Sequence, residues 1–280
     1  EQIAKRVARG VSEIEFEDDL QEESFKEFYR EISELNVVPA GRVLFGAGSG
    51  TDVTYFNCFT LPFVHDSRGG ISDHRKTVME IMSSGGGVGT NGSTLRPKGA
   101  LAKGVNGKSS GAVGWLDDIA KLTHLVEQGG SRRGAQMIMM FDWHPDIVEF
   151  IVSKVQNPRM LRYILDNIDN DIIRREVKNK LVCTPLNDSD RKLYENIVSN
   201  KHLFDKEVVE EASEKLKDGG VYSVENPEFL TGANISVGIT DDFMKALEND
   251  EVYELRFPDI ENYSAEEMVD YNEQWHEVGD

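Results

Sequence analysis

The stretch that most limits what this chain can fold into is GGGVGTNGSTLRPKGALAKGVNGKSSGAVG, residues 85–114. Ten of its thirty residues are glycine. Glycine loses the most backbone freedom on folding and offers no side chain to pack, so the stretch cannot be a long helix or an ordinary strand. It reads as loop with brief strands, where backbone comes close to backbone or to a ligand. A second glycine-rich loop, GGSRRGAQ, follows at 129–136. The flanks are regular. Ser72 to Ser84 reads as a helix with Val78, Ile81 and Met82 on its apolar side. Trp115 to Glu127 reads as another, with Asp117 and Asp118 near its positive end. Met137 to Phe141 is a short buried strand. Strands alternating with helices give an α/β architecture.

The glycines suggest two familiar motifs, and both fail on context. Gly87-Val88-Gly89-Thr90-Asn91-Gly92 fits G-x-G-x-x-G, but the dinucleotide fingerprint needs a strand before it and a helix after it. Here a helix precedes and Thr94-Leu95-Arg96-Pro97 follows. Gly104 to Ser109 looks like a phosphate-binding P-loop with two residues, not four, between its glycines. What survives is the chemistry of glycine backbone beside cations. Arg96, Lys98, Lys103, Lys108, Arg132 and Arg133 make this region suited to phosphate or nucleotide.

Charge supports a local anion site. The 280 residues carry a net −19, which argues against general nucleic-acid binding. Residues 66–136 nevertheless hold ten Lys and Arg against six acids, a net +4, leaving −23 for the rest. No apolar run approaches the roughly 20 residues of a membrane span, and no signal peptide is read at the N-terminus. Two cysteines, Cys58 and Cys183, without CxxC or nearby histidine spacing, fit a reducing, cytoplasmic setting and no zinc site. Cys58 follows an aromatic and an amide in a strand. The residues alone leave it as a small buried hydrophobe or a redox thiol.

Residues 1–36 read as helical, with Phe25, Phe28, Tyr29, Ile32 and Leu35 recurring at helical spacing. Pro39-Ala40-Gly41 breaks the helix, and 42–63 reads as two short strands. Pro145 to Val155 is expected to be a helix. Residues 158–224 read as an inserted, charged helical module holding Cys183. The segment 225–280 brings a strand at Asn234–Ile239, a helix at Asp241–Glu248 and an acidic tail expected on the surface.

Together these segments resemble the large catalytic subunit of ribonucleotide reductase, most of all the adenosylcobalamin-dependent class II type. The stretches are PAGRVLFGAG (39–48), FNCFTLPFVHDS (56–67), SSGGGVGTNGSTLRPKG (83–99), GVNGKSSGAVGWLDDI (104–119), EQGGSRRGAQMIMM (127–140), DWHPDIVEF (142–150) and GANISVGITDDFM (232–244), in family order. The resemblance implies half of a ten-stranded α/β barrel, over 37–157 and resuming at 225–280, after an N-terminal helical segment at 1–36. It implies that Cys58 is one of two redox cysteines beneath the ribose, with Asn57, Ala40, Gly41, Gly92 and Ser93 lining the substrate pocket. It implies an effector site for a deoxynucleoside triphosphate at Asp66, Ser67, Arg96, Lys98 and Lys103. A second loop (Gln128, Ser131, Arg132, Arg133) would link effector to substrate choice. The implied cofactor is adenosylcobalamin, with its contacts mostly outside this chain. The implied partners are a ribonucleotide substrate, a thioredoxin-type reductant and a second copy in a homodimer. The Asn-x-Cys-x-Glu pattern of the family's thiyl-radical loop does not occur here. The expectation is therefore one piece of a longer or split reductase. A class I enzyme and a non-catalytic nucleotide-binding half-barrel stand as the alternatives.

Overall fold

The computed structural model describes residues 1–102, 107–128 and 132–277. It divides into two compact units, Glu1–Pro145 with Gly232–Asp280, and Asp146–Thr231.

The first unit opens with helices α1 (Gln2–Ser12) and α2 (Asp18–Ser33), packed on each other. The Arg9 guanidinium sits 3.7 Å above the Phe25 ring and pairs with Glu22 at 3.0 Å. Then the chain departs from expectation. Arg42-Val43-Leu44-Phe45, read as a strand, lies within a short helix, α3 (Gly41–Gly46). A four-residue apolar run does not by itself choose between helix and strand. Here a tertiary contact decides. Arg6 of α1 donates to the carbonyls of Leu44, at 2.6 Å, and Ala47, satisfying the orphan acceptors at the end of α3.

A parallel sheet forms the centre. Its strands are β1 (Cys58–Thr60), β2 (Gly87–Asn91), β7 (Gln136–Phe141) and β10 (Asn234–Gly238), hydrogen-bonded in that order. Parallel neighbours need crossovers. The helix α4 (Arg68–Ser83) links β1 to β2, and α5 (Ala112–Leu125) lies between β2 and β7. Both cover one face, where Val78, Met82, Val88, Ile119 and Leu122 form a buried core. Short antiparallel pairs sit in the glycine-rich loops: β3 (Leu101–Ala102) with β4 (Gly107–Lys108), and β5 (Glu127–Gln128) with β6 (Arg132–Arg133). The G-x-G-x-x-G stretch is thus largely strand β2, not a turn around a phosphate. Its glycines permit close strand contact: a Cβ on Gly87 would lie 3.2 Å from the Asn57 carbonyl oxygen.

The unit ends with α11 (Asp241–Glu248) and α12 (Ala265–Glu277). The β7 and β10 ends are tied by Asp142, buried, which accepts from Thr240 N at 2.6 Å and Tyr253 OH at 3.0 Å. The acidic tail is not simply a surface segment. Ile260 and Tyr271 are buried, and Trp143, Phe257, Tyr271 and Trp275 stack or tilt against one another within 6.5 Å. Its acids face water while its aromatic side chains close a core.

The second unit holds α6 (Ile147–Ser153), α7 (Pro158–Asn167), α8 (Asp171–Lys180), β8 (Leu181–Pro185), α9 (Asp188–Ser199), α10 (Lys206–Asp218) and β9 (Gly220–Val224). Asn157, Asn170 and Asn187 cap the starts of α7, α8 and α9. Val152, Leu161 and Val177 make its core. The module is not all helical. β8 and β9 pair antiparallel with Cys183 opposite Tyr222, and Cys183 is exposed on a strand. The two strands lie some 35 residues apart in sequence, so no local turn signal marks them. Lys180 donates to the carbonyls of Val152 (3.2 Å) and Ser153, completing the C-terminal end of α6. Burial, and then Lys154 nearby, holds its ammonium pKa down at about 8.

Candidate functional site

Strand alternation sorts the sheet residues onto two faces. Val88, Gln136, Ile138 and Met140 turn toward the helices and are buried. The registers Cys58↔Gly87, Thr60↔Gly89↔Met137 and Met137↔Asn234 put the other set on the opposite, open face. There Cys58, Thr60, Met137 and Asn234 are exposed and Gly87 and Gly89 half-buried. A thiol thus stands on a floor flattened by two glycines. Cys58 is not the buried hydrophobe that a lone strand cysteine most often is. Asn57, also exposed, precedes it and accepts from Gly87 N at 2.8 Å through its carbonyl.

The other substrate-side candidates fall at different depths. Ala40 and Gly41 are exposed at the start of α3. The neighbouring Arg42 guanidinium lies against Gly85, which brings this corner to the entrance of β2, beside Cys58's partner Gly87. Gly92 and Ser93 are buried. A Cβ on Gly92 would stand 2.6 Å from Leu116, and the Ser93 hydroxyl accepts from Phe141 N at 2.8 Å. Their contribution to any pocket runs through backbone placement. Met137, Asn234 and Ser236 on the open face escaped the sequence reading. The only signal for them was the two-residue period of their strands.

A second candidate site is a pocket among the residues of the basic, glycine-rich region. An open pocket of about 360 Å³ is lined by Asp66, Ser67, Arg68, Arg96, Lys108 and Trp115, among others. Asp66 is buried and grips Arg96 twice, Nε to Oδ2 at 2.8 Å and backbone N to Oδ1 at 3.2 Å. Burial pushes the Asp66 carboxyl up, and Arg96 pulls it back. Arg96 Nη1 also donates to Leu101 O at 2.9 Å, fixing the guanidinium between two walls. Ser67 caps α4, accepting from Gly70 N at 2.9 Å, so the positive end of a 16-residue helix opens at the pocket. Cations, helix end and indole together suit a phosphorylated ligand with an aromatic part.

Lys98 is exposed and does not line this pocket. Lys103 and Ser131 lie outside the described residues. For Gln128, Arg132 and Arg133 only the backbone is described, in the pair β5–β6. Ile260, Tyr263 and Met268 also line the pocket. Nothing local in the sequence connects them with Asp66. Among the described residues no three His, Cys, Asp or Glu side chains group to hold a metal ion. His144, fully buried, is hydrogen-bonded through its ring to Leu95 O at 2.8 Å. Among the described residues no helix is long and apolar enough to cross a membrane.

Comparison with known proteins identifies the family. A family model described as the ribonucleotide reductase barrel domain matches residues 56–278, and the family's all-alpha domain matches residues 1–52. A vitamin B12-dependent ribonucleoside-diphosphate reductase of Thermoplasma acidophilum is 36% identical over 154 residues, covering 51% of this chain and 20% of that protein. The ribonucleoside-diphosphate reductase large subunit of Caenorhabditis elegans is 34% identical over 152 residues, 54% of this chain and 18% of its own length. A vitamin B12-dependent reductase of Mycobacterium tuberculosis is 32% identical over 163 residues, 57% and 23% respectively. The matched region is thus about a fifth of each relative's length. With the barrel-domain model spanning well over half of the sequence, the chain belongs to the ribonucleotide reductase family.

Proposed function

We propose that this chain is the N-terminal catalytic portion of a vitamin B12-dependent ribonucleotide reductase, acting on the ribonucleoside diphosphates named for its relatives. The observation that carries the reading is the exposed Cys58 on the open face of a parallel sheet, inside the segment matched by the barrel-domain model. In this reading the four parallel strands belong to one half of a ten-stranded barrel, and the open face is its interior.

Cys58 protonates the ribose 2′-hydroxyl as it leaves as water. Its sulfur then bonds to a second cysteine thiol, and the resulting disulfide accounts for the two electrons that reduce the sugar. Reduction by an external dithiol, of the thioredoxin type, resets the pair. Asn57, Ala40 and Gly41 would border the ribose, and Gly92 and Ser93 would set the backbone beneath it. Adenosylcobalamin supplies the radical chemistry that starts the reaction on a thiyl cysteine. Its contacts would lie mostly outside this chain. The pocket at Asp66, Ser67 and Arg96, with Lys98 and Lys103, would take a deoxynucleoside triphosphate effector, and the loop Gln128–Arg133 would carry its signal to the substrate. A second copy of the chain would complete the regulated enzyme.

The test is adenosylcobalamin-dependent reduction by the complete protein with an external dithiol. Cys58→Ser is expected to abolish multiple turnover while leaving the fold intact, because the side chain is exposed. Undiminished turnover would remove Cys58 from the chemistry and favour a nucleotide-binding module.

A further inference from the structure

The two walls of the anion pocket are about 30 residues apart in sequence and are joined by the Asp66–Arg96 pair and by the Thr94 hydroxyl, which donates to Val64 O at 2.5 Å. Both are also held from a third direction. Asn272 Oδ1 accepts from Asp66 N at 2.8 Å, and its Nδ2 is itself fixed on Met268 O at 2.8 Å. The Tyr271 hydroxyl donates to Thr94 O at 2.8 Å, from a ring that is only 5% exposed. Glu261 Oε1 accepts from Leu101 N at 2.8 Å. All three bonds go to main chain, one on the Asp66 side and two on the Arg96 side. Backbone is what must stay still if a carboxylate and a guanidinium are to keep one geometry.

We propose that the segment Ile260–Asn272 is a brace that positions the effector pocket, with Glu261, Tyr271 and Asn272 as positioning residues. This rests on the effector reading of the pocket. Its consequence is coupling. A nucleotide that needs the aligned Asp66–Arg96 pair binds better when the brace is docked, and by linkage the bound nucleotide holds α12 in place. None of the three residues touches Cys58's face of the sheet in any hydrogen bond the structure shows, so chemistry at saturating effector is untouched.

The experiment is hydrogen exchange and nucleotide binding on the complete protein, using Tyr271→Phe, Glu261→Ala and Glu261→Gln. In ligand-free protein, Tyr271→Phe and Glu261→Ala are expected to speed exchange in peptides covering 64–70 and 94–102. Glu261→Gln, which keeps the acceptor, restores wild-type rates. Unchanged exchange in both removing variants overturns the brace, whatever the ligand. With deoxynucleoside triphosphate added, the two removing variants are expected to bind about fivefold more weakly, the worth of one net hydrogen bond. Their kcat at saturating effector is unchanged, and wild-type exchange in 265–275 slows. Nucleotide binding that leaves 265–275 unchanged overturns the coupling. Absence of any binding by the wild type overturns the effector reading instead, while the ligand-free arm still decides the brace.

Discussion

His74 shows what burial does to a single group. It lies on the covered side of α4, 9% exposed, with its Nε2 3.0 Å from the Thr90 hydroxyl. Burial lowers its pKa to about 4 from 6.5. The unfolded chain therefore takes up the proton first as pH falls, and the folded state resists it. Stability is lost between about pH 6.5 and pH 4, by up to about 3 kcal/mol. A denaturant series from pH 7 to pH 4 is expected to show that loss, and His74→Gln to flatten it. An equal slope in the variant would assign the acid limb to other groups. At this scale the sequence was uneven. The strand holding Cys58 was legible, but the residues alone left its thiol as a buried hydrophobe or a redox group, and its exposure on β1 is what the structure adds. The grip of Asp66 on Arg96 was legible only as an excess of charge, since the bond spans 30 residues. Lys98, two residues from Arg96, is exposed and is not among the residues lining the pocket.

Elements were legible where their signals are local. α4, α5, β7, β10 and α11 follow from apolar periodicity and caps. Three misreadings share a cause. α3 is a helix because Arg6 meets its end, β8 is a strand because β9 lies beside it, and α12 is inside because Trp143 and Phe257 receive its rings. Each partner is remote in sequence. Glycines give a direct test of such contacts. A Cβ on Gly232 would overlap the Ala120 carbonyl oxygen on α5, which cannot yield without moving the helix. Gly232→Ala is expected to cost about 1–3 kcal/mol and lower Tm by several degrees. Gly41→Ala meets nothing within 4 Å at the first turn of α3. It is expected to be neutral or to stabilise by up to ~1 kcal/mol. Thermal melts of the two variants would separate close backbone approach from simple glycine flexibility. Equal Tm values would contradict it.

At the scale of the whole molecule, the chain assigns separate jobs to the two sides of one sheet system. One face carries the apolar core and the helices. The other carries an exposed thiol on β1, beside the glycines of β2. The pocket at Asp66 and Arg96 sits at the positive end of α4, with most of its lining from residues 66–136, a stretch of net +4 in a chain of net −19. The parallel order β1-β2-β7-β10 was not readable from periodicity, because register across crossovers is fixed by packing on α4 and α5. The family resemblance anticipated an α/β fold, and the structure has a four-stranded parallel sheet whose open face exposes Cys58. The most direct measurement is a single turnover of the complete protein with adenosylcobalamin and no added reductant, followed by alkylation and peptide mapping. The account predicts that Cys58 becomes unreactive to alkylation in step with deoxyribonucleotide formed, and is recovered in a disulfide. Product formed while Cys58 stays fully alkylatable would contradict it.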